Sequence, residues 1–174
     1  PSEGIFTPPS LRGTVVYPAF LGGMEWGGVA FDPGSGLLVT NTNRLATMAT
    51  LIPAQAITAS SVDPETRSIV VRQAPAPYGV RREVLLSPLG LPCTPPPWGM
   101  LHAVDVHTGA VRWEVPLGTV QDLSLVPAPR RWGSVTLGGP VVSGGLVFIA
   151  AAMDQRIRAF DLATGELKWE SVLP

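Results

Sequence analysis

Charge is scarce in this sequence: 14% of the 174 residues are charged, and 12 basic against 13 acidic side chains leave a net charge of −1. No run of like charges is present, so neither a nucleic-acid footprint nor a patch for an anionic membrane is visible, and nucleic acid is set aside as a partner. Cysteine is nearly absent. Cys93 stands alone, which excludes an internal disulfide and leaves the redox compartment open; it reads as a small packed side chain in "GLPCTPPPWG". The only histidines, His102 and His107, have no Cys, Glu or His partner at ligand spacing, so no metal site is expected from them. Also missing are a Ser-His-Asp set, a phosphate-cradling glycine loop and a carboxylate pair of recognisable geometry. The longest apolar stretch, "PVVSGGLVFIAAAM" from Pro140, is broken by Ser-Gly-Gly and is too short for a bilayer of about 30 Å. The sequence begins at Pro1 with no initiator Met or signal-peptide pattern, so a processed or excised part of a longer protein is expected.

What is abundant is Gly and Pro, 19 of each, which punctuates the chain too often for long helices and suits short strands joined by turns. With 45% hydrophobic residues the chain reads as ordered and all-β. It also repeats itself. "AVDVHTGAVRWEVPLG" from Ala103 and "AFDLATGELKWESVLP" from Ala159 share Ala, Asp, Thr-Gly and Trp at the same spacing. Around the second copy, Pro140 to Ser143, Leu146 to Ala152, Arg156 to Leu162 and Glu166 to Val172 read as strands separated by turns. Four short antiparallel strands under a repeated phrase form a β-propeller blade. Within the phrase, Asp161 accepts backbone hydrogen bonds in its turn, Gly165 supplies a positive φ, and Trp169 covers a neighbouring blade; Asp105, Gly109 and Trp113 do the same in the first copy.

The first copy finds its opening strands far upstream, in "WGGVAFDPGSGLLVTNTN": Gly28 to Asp32, a turn over Pro33 to Gly36, and Leu37 to Asn43. Leu146 and Asp161 are 15 positions apart, whereas Leu37 and Asp105 are 68 apart, which implies an insertion of about 53 residues, roughly Arg44 to Trp98. The expected organisation is therefore part of a β-propeller with about two four-stranded blades. Residues 1–20 end a preceding blade, 21–120 form a blade with its insertion over about 44–98, 121–136 an inter-blade loop, and 137–174 a second blade. Two blades cannot close a ring, so the remaining blades of a parent chain are expected as partners.

The repeated A-x-D-x-x-T-G-x-x-x-W phrase resembles the tryptophan-docking motif of the quinoprotein dehydrogenases, eight-bladed propellers that use pyrroloquinoline quinone (PQQ). "EGIFTPPS" at Glu3, "LGGMEWGGVAFDP" at Leu21, "GLPCTPPPWG" at Gly90, "PLGTVQD" at Pro116 and "LGGPVVSGGLVFIAAAMD" at Leu137 resemble, in order, the carboxyl-terminal portion of the membrane-bound glucose dehydrogenase branch. That resemblance implies a periplasm-facing enzyme of the bacterial inner membrane, whose anchor is not in this sequence. It implies oxidation of an aldose to a lactone, with electrons passing to ubiquinone. It also implies a calcium or magnesium ion beside the quinone, with the metal ligands and the catalytic base outside these residues.

Residue by residue, the resemblance matches Asn41, in "VTNTN", to an asparagine near the quinone, where an amide donates to a quinone oxygen; the plainer reading is a strand-end Asn bonded to its own turn. Trp26, in "MEWGG", matches a tryptophan leading into the channel-lining strand, as a wall or a donor, or else packs beneath its loop. Asp154, in "AAMDQRI", matches an aspartate near the channel rim linked to stability and electron transfer, or is a turn residue. Trp113 and Trp169 are structural. Besides an enzyme part, a quinone-free propeller scaffold that holds a protein partner with its Pro-rich insertion fits the repeat.

Overall fold

A computed structural model describes residues 3–24, 26–63, 68–121 and 127–174. The strands are β1 (Thr14–Val16), β2 (Ala30–Asp32), β3 (Leu37–Asn43), β4 (Thr47–Pro53), β5 (Ser61–Asp63), β6 (Ser68–Val71), β7 (Tyr78–Val84), β8 (Gly99–Asp105), β9 (Val111–Pro116), β10 (Val141–Ser143), β11 (Leu146–Ile149), β12 (Arg156–Asp161) and β13 (Leu167–Val172). Short 3-10 turns cover Ala54–Ala56 and Arg130–Trp132. No described helix is long and apolar enough to cross a membrane. The chain divides into two compact units, Leu21–Arg44 with Thr94–Pro174, and Pro1–Phe20 with Leu45–Cys93.

The first of these units holds two four-stranded antiparallel sheets, ordered β2-β3-β8-β9 and β10-β11-β12-β13. The register is the same in both: Leu37 lies opposite Asp105, and Leu146 opposite Asp161. Each sheet also carries an irregularity at the Ala of the repeated phrase, between Ala103 and Val104 and between Ala159 and Phe160. A bulge there sharpens the local twist just before the turn and re-aims the Trp that follows. β2 begins at Ala30 rather than Gly28, because Gly28 has a φ of +79°. β11 ends at Ile149, short of Ala152, because Ala152 forms an isolated bridge with Thr136 instead.

Between the sheets lies one apolar core. Leu37, Val39, Leu101, Ala103 and Trp113 of the first sheet, with Leu117 just after it, meet Val147, Ile149 and Phe160 of the second and Ala151, Ala152 and Leu162 from its turns. Burying a side chain of this size stabilises by about 1.5–3 kcal/mol. Trp113 fastens the pair. Its Nε1 donates to the carbonyl of Leu162 at 2.8 Å. A Cβ added to Gly165, whose φ is +74°, would stand 2.6 Å from Cε3 of the Trp113 ring. Only glycine both turns the chain there and lets an indole lie against its backbone. The turn is held by Asp161 Oδ1, which accepts from the amides of Ala163 and Thr164 and from the Thr164 hydroxyl, each at 3.0 Å. Asp105 Oδ1 does the same for His107 and Thr108 at 2.9 and 3.2 Å. These bonds favour the ionised carboxylates: Thr164 above all lowers Asp161, and the His107 amide above all lowers Asp105. Trp169, the matching ring of the second copy, is 51% exposed.

The second unit is a five-stranded sheet ordered β1-β4-β7-β6-β5. Residues 1–20, which the sequence suggests end a preceding blade, supply β1, and it pairs antiparallel with β4, Thr14 facing Ala49 and Val16 facing Thr47. Thr14 and Thr47 are buried, Leu45 donates to the Pro18 carbonyl, and the Thr47 hydroxyl donates to the carbonyl of Val16, so the edge of β4 is satisfied by β1. The inserted segment thus supplies four strands, β4 to β7, of a sheet completed by β1; Arg82 on β7 lies over the Phe20 ring at 5.2 Å.

Candidate functional site

Side chains alternate along β3, so Val39, Asn41 and Asn43 share one face with Leu37, and the burial pattern records that face as closed. Apolar residues there are expected; two buried amides are not, and each needs partners. Those partners come from Gly133 to Gly139, the segment that leads into the second sheet. It is gripped by backbone. A Cβ on Gly99 would overlap the Ser134 main chain and one on Gly133 that of Gly99, one on Gly118 would stand 2.6 Å from the Ala152 Cβ, and Gly27 and Gly139 approach too closely for either to carry a side chain. Ser134 and Thr136 are fully buried as a result.

Thr136 is the meeting point. Asn43 Nδ2 donates to the Thr136 carbonyl at 3.0 Å, and Asn43 Oδ1 accepts from the Thr136 amide at 2.9 Å and from its hydroxyl at 3.1 Å. With its own proton committed to Asn43, the Thr136 hydroxyl accepts from Asn41 Nδ2 at 2.8 Å. The Asn41 side chain therefore does not bond its own turn. It reaches a residue 95 positions away and is 1% exposed. One atom is left over: Asn41 Oδ1 is buried without a hydrogen-bond partner. The orientation follows from the proton count, and it presents an acceptor where the sequence suggested a donor.

Trp26 does not pack beneath its loop; it is 91% exposed. Its loop runs along the end of β3, where Met24 bridges Thr42 and the Asn43 amide donates to the Gly23 carbonyl. On the outward face of the strand, the Thr42 hydroxyl lies 2.8 Å from His102 Nε2, and His102 Nδ1 is 3.5 Å from Glu114. Burial pushes the His102 imidazole below its ordinary value and Arg44 adds to this, against the pull of Glu114.

Asp154 is in a turn, and it is more than a turn residue. Its side chain is 1% exposed and takes both terminal nitrogens of Arg158, Nη1 at 3.0 Å and Nη2 in a shorter contact. Arg158 Nε faces Glu170 at 3.5 Å, and Glu170 also holds Arg156 at 3.3 Å and Arg130 at 3.0 Å. This network ties β12, β13 and the turn at Arg130–Trp132 together. Thr136, Asn43, Arg158 and Glu170 have no counterpart among the sequence candidates. The second Asn of "VTNTN", two positions on and so on the same face, is the signal that would have found Asn43. Among the described residues, no three His, Cys, Asp or Glu side chains are grouped to hold a metal ion.

Two four-stranded antiparallel sheets in common register, joined through a docked tryptophan, are blades of a β-propeller of the quinoprotein type. The family model described as "PQQ: Glucose/ethanol/alcohol dehydrogenase, beta-propeller domain" matches residues 1–174. The chain belongs to this PQQ dehydrogenase family. It is 40% identical to the quinoprotein glucose dehydrogenase of Escherichia coli (strain K12) over 99% of its length and 23% of that protein's. It is 39% identical to a probable quinate dehydrogenase (quinone) of Xanthomonas campestris pv. juglandis, again over 99% of this chain and 23% of the other. Quinoprotein glucose dehydrogenase A of Acinetobacter calcoaceticus is also 39% identical, over 99% and 22%. The chain thus spans under a quarter of the length of these relatives. Among solved structures, a europium-containing methanol dehydrogenase superposes with a TM-score of 0.56 over 92% of this chain and 22% of that one, at 23% identity, a likeness of fold.

Proposed function

We propose that this chain forms two blades of a PQQ-dependent sugar dehydrogenase, an enzyme that oxidises an aldose to its lactone and passes the electrons to ubiquinone at the periplasmic side of the bacterial inner membrane. The observation that carries this reading is the 40% identity to a quinoprotein glucose dehydrogenase over 99% of the chain. The quinate dehydrogenase relative, at 39%, makes the choice of polyol or sugar the point to test. The catalytic base, the calcium or magnesium ligands and the sugar contacts are assigned to other blades of the full-length protein.

This chain's share is part of the cofactor wall. Residues 21–120, interrupted by the insertion over about 44–98, and 137–174 are the two blades; 1–20 end a preceding blade, and 121–136 link the two in sequence. The residues present fit one edge of the group: Asn41 offers a buried, unpartnered Oδ1, and Trp26 an exposed indole plane. Pyrroloquinoline quinone carries a pyrrole N–H that such an oxygen accepts and a flat ring system that an indole covers. When bound, the quinone supplies a two-electron acceptor; the protein's task is to hold and orient it and to exclude water. Asp154 keeps the rim rigid through Arg158 and Glu170.

The test is full-length protein titrated with PQQ in the presence of calcium or magnesium, then assayed with a dye acceptor against glucose, other aldoses, quinate and glycerol. Saturable cofactor binding with aldose oxidation supports the reading. Preference for quinate or glycerol moves the substrate class, and absence of saturable binding favours a quinone-free scaffold.

A further inference from the structure

Three buried side chains from two distant stretches form a single proton-ordered chain: Asn41 Nδ2 to Thr136 Oγ1 at 2.8 Å, then Thr136 Oγ1 to Asn43 Oδ1 at 3.1 Å. A hydroxyl has one proton to give. Asn43 Oδ1 is where it goes, because Asn43 is already fixed by the Thr136 main chain, accepting its amide at 2.9 Å and donating to its carbonyl at 3.0 Å. The Thr136 oxygen is then an acceptor toward Asn41, and only Nδ2 of Asn41 can serve it. Oδ1 is thereby turned away, and it is the atom left buried with no partner. A buried acceptor without a donor is unfavourable in the chain as it stands and becomes favourable once a donor arrives.

Resting on the cofactor-wall reading of Asn41, we propose that Thr136 is a positioning residue for the cofactor: its hydroxyl sets the polarity of the Asn41 amide, so that Asn41 meets the bound group as a hydrogen-bond acceptor. Thr136 touches no ligand itself. Its side chain is separable from its structural duty, because both bonds from Asn43 to the Thr136 main chain survive replacement of the side chain. Valine has the shape of threonine but neither accepts from Asn41 nor donates to Asn43; serine does both.

The experiment measures the dissociation constant of PQQ from full-length apoprotein by absorbance titration with calcium present, alongside the apoprotein's unfolding midpoint. Asn41→Ala raises the constant about 10-fold, Thr136→Val raises it about 5- to 10-fold, and Thr136→Ser stays within about 2-fold of the parent, the scale of one hydrogen bond. Asn41→Ala combined with Thr136→Val binds within about 2-fold of Asn41→Ala alone, since a positioning residue has nothing left to position. A merely structural Thr136 gives additive losses that track the unfolding midpoint, which overturns the proposal. If Asn41→Ala weakens binding and Thr136→Val does not, the positioning role falls and the cofactor-wall reading stands. If Asn41→Ala leaves binding unchanged, the reading beneath the proposal falls, and the proposal with it.

Discussion

Gly165 and Gly109 occupy the same place in the two copies of the repeated phrase, with nearly the same backbone, φ of +74° and +72°, and different surroundings. A Cβ on Gly165 would stand 2.6 Å from the Trp113 ring, whereas nothing lies within 4 Å of one on Gly109. Gly109→Ala therefore pays the left-handed backbone penalty alone, about 1 kcal/mol. Gly165→Ala carries the same penalty and pushes the indole off its seat. The bond from Trp113 Nε1 to the Leu162 carbonyl is worth about 1 kcal/mol net, and partial loss of ring burial costs about another 1 kcal/mol. The expected loss is about 3 kcal/mol against about 1, a gap of about 6 °C in unfolding midpoint for a chain of this size. Urea denaturation of the 174-residue chain, followed by tryptophan emission, reads both. In a longer propeller, where a further blade sets its own tryptophan on Gly109, the two costs converge. Equal losses in the 174-residue chain would refute the docking account, because the only difference between the sites is the ring.

Asp154→Ala strands the Arg158 guanidinium, 8% exposed, with only the 3.5 Å contact to Glu170, and is expected to cost about 3 kcal/mol in urea denaturation; adding Arg158→Met recovers about 1 kcal/mol or more. A loss below about 1 kcal/mol for Asp154→Ala shows instead that the pair is solvated. His102 gives a pH signature. The fold disfavours its imidazolium, so its contribution is complete above the ordinary value of 6.5 and is withdrawn as pH falls below it. The unfolding midpoint is expected to drop between about pH 7 and pH 5. His102→Gln flattens that drop, and an unchanged slope in the variant assigns it to other groups.

The fold was legible wherever its determinants were local. β3 runs over Leu37–Asn43 as the alternation implied, and both sheets pair Leu with Asp in one register, the frame in which the 15- and 68-residue separations are counted. The repeated phrase also encodes what its reading did not extract, the bulge at Ala103 and Ala159. The inserted sheet was not legible. β4 and β7 are half-covered along much of their length, which blurs the alternation, and the partner that completes the edge of β4 is β1, more than thirty positions away. The site shows the same divide. "VTNTN" drew attention to Asn41, but the polarity of that amide depends on Thr136, 95 positions on, and on where one hydroxyl proton goes. No spacing rule within a sequence carries that information. Asp154 was visible as a turn residue; its burial against Arg158, four positions on in β12, was not.

The most direct test of the central claim is a single titration: full-length apoprotein with calcium, PQQ added stepwise, absorbance read at each addition. A saturable change at one cofactor per chain, followed by dye reduction on addition of glucose, is the result this account predicts. A strictly linear response to PQQ with no glucose-dependent dye reduction contradicts it.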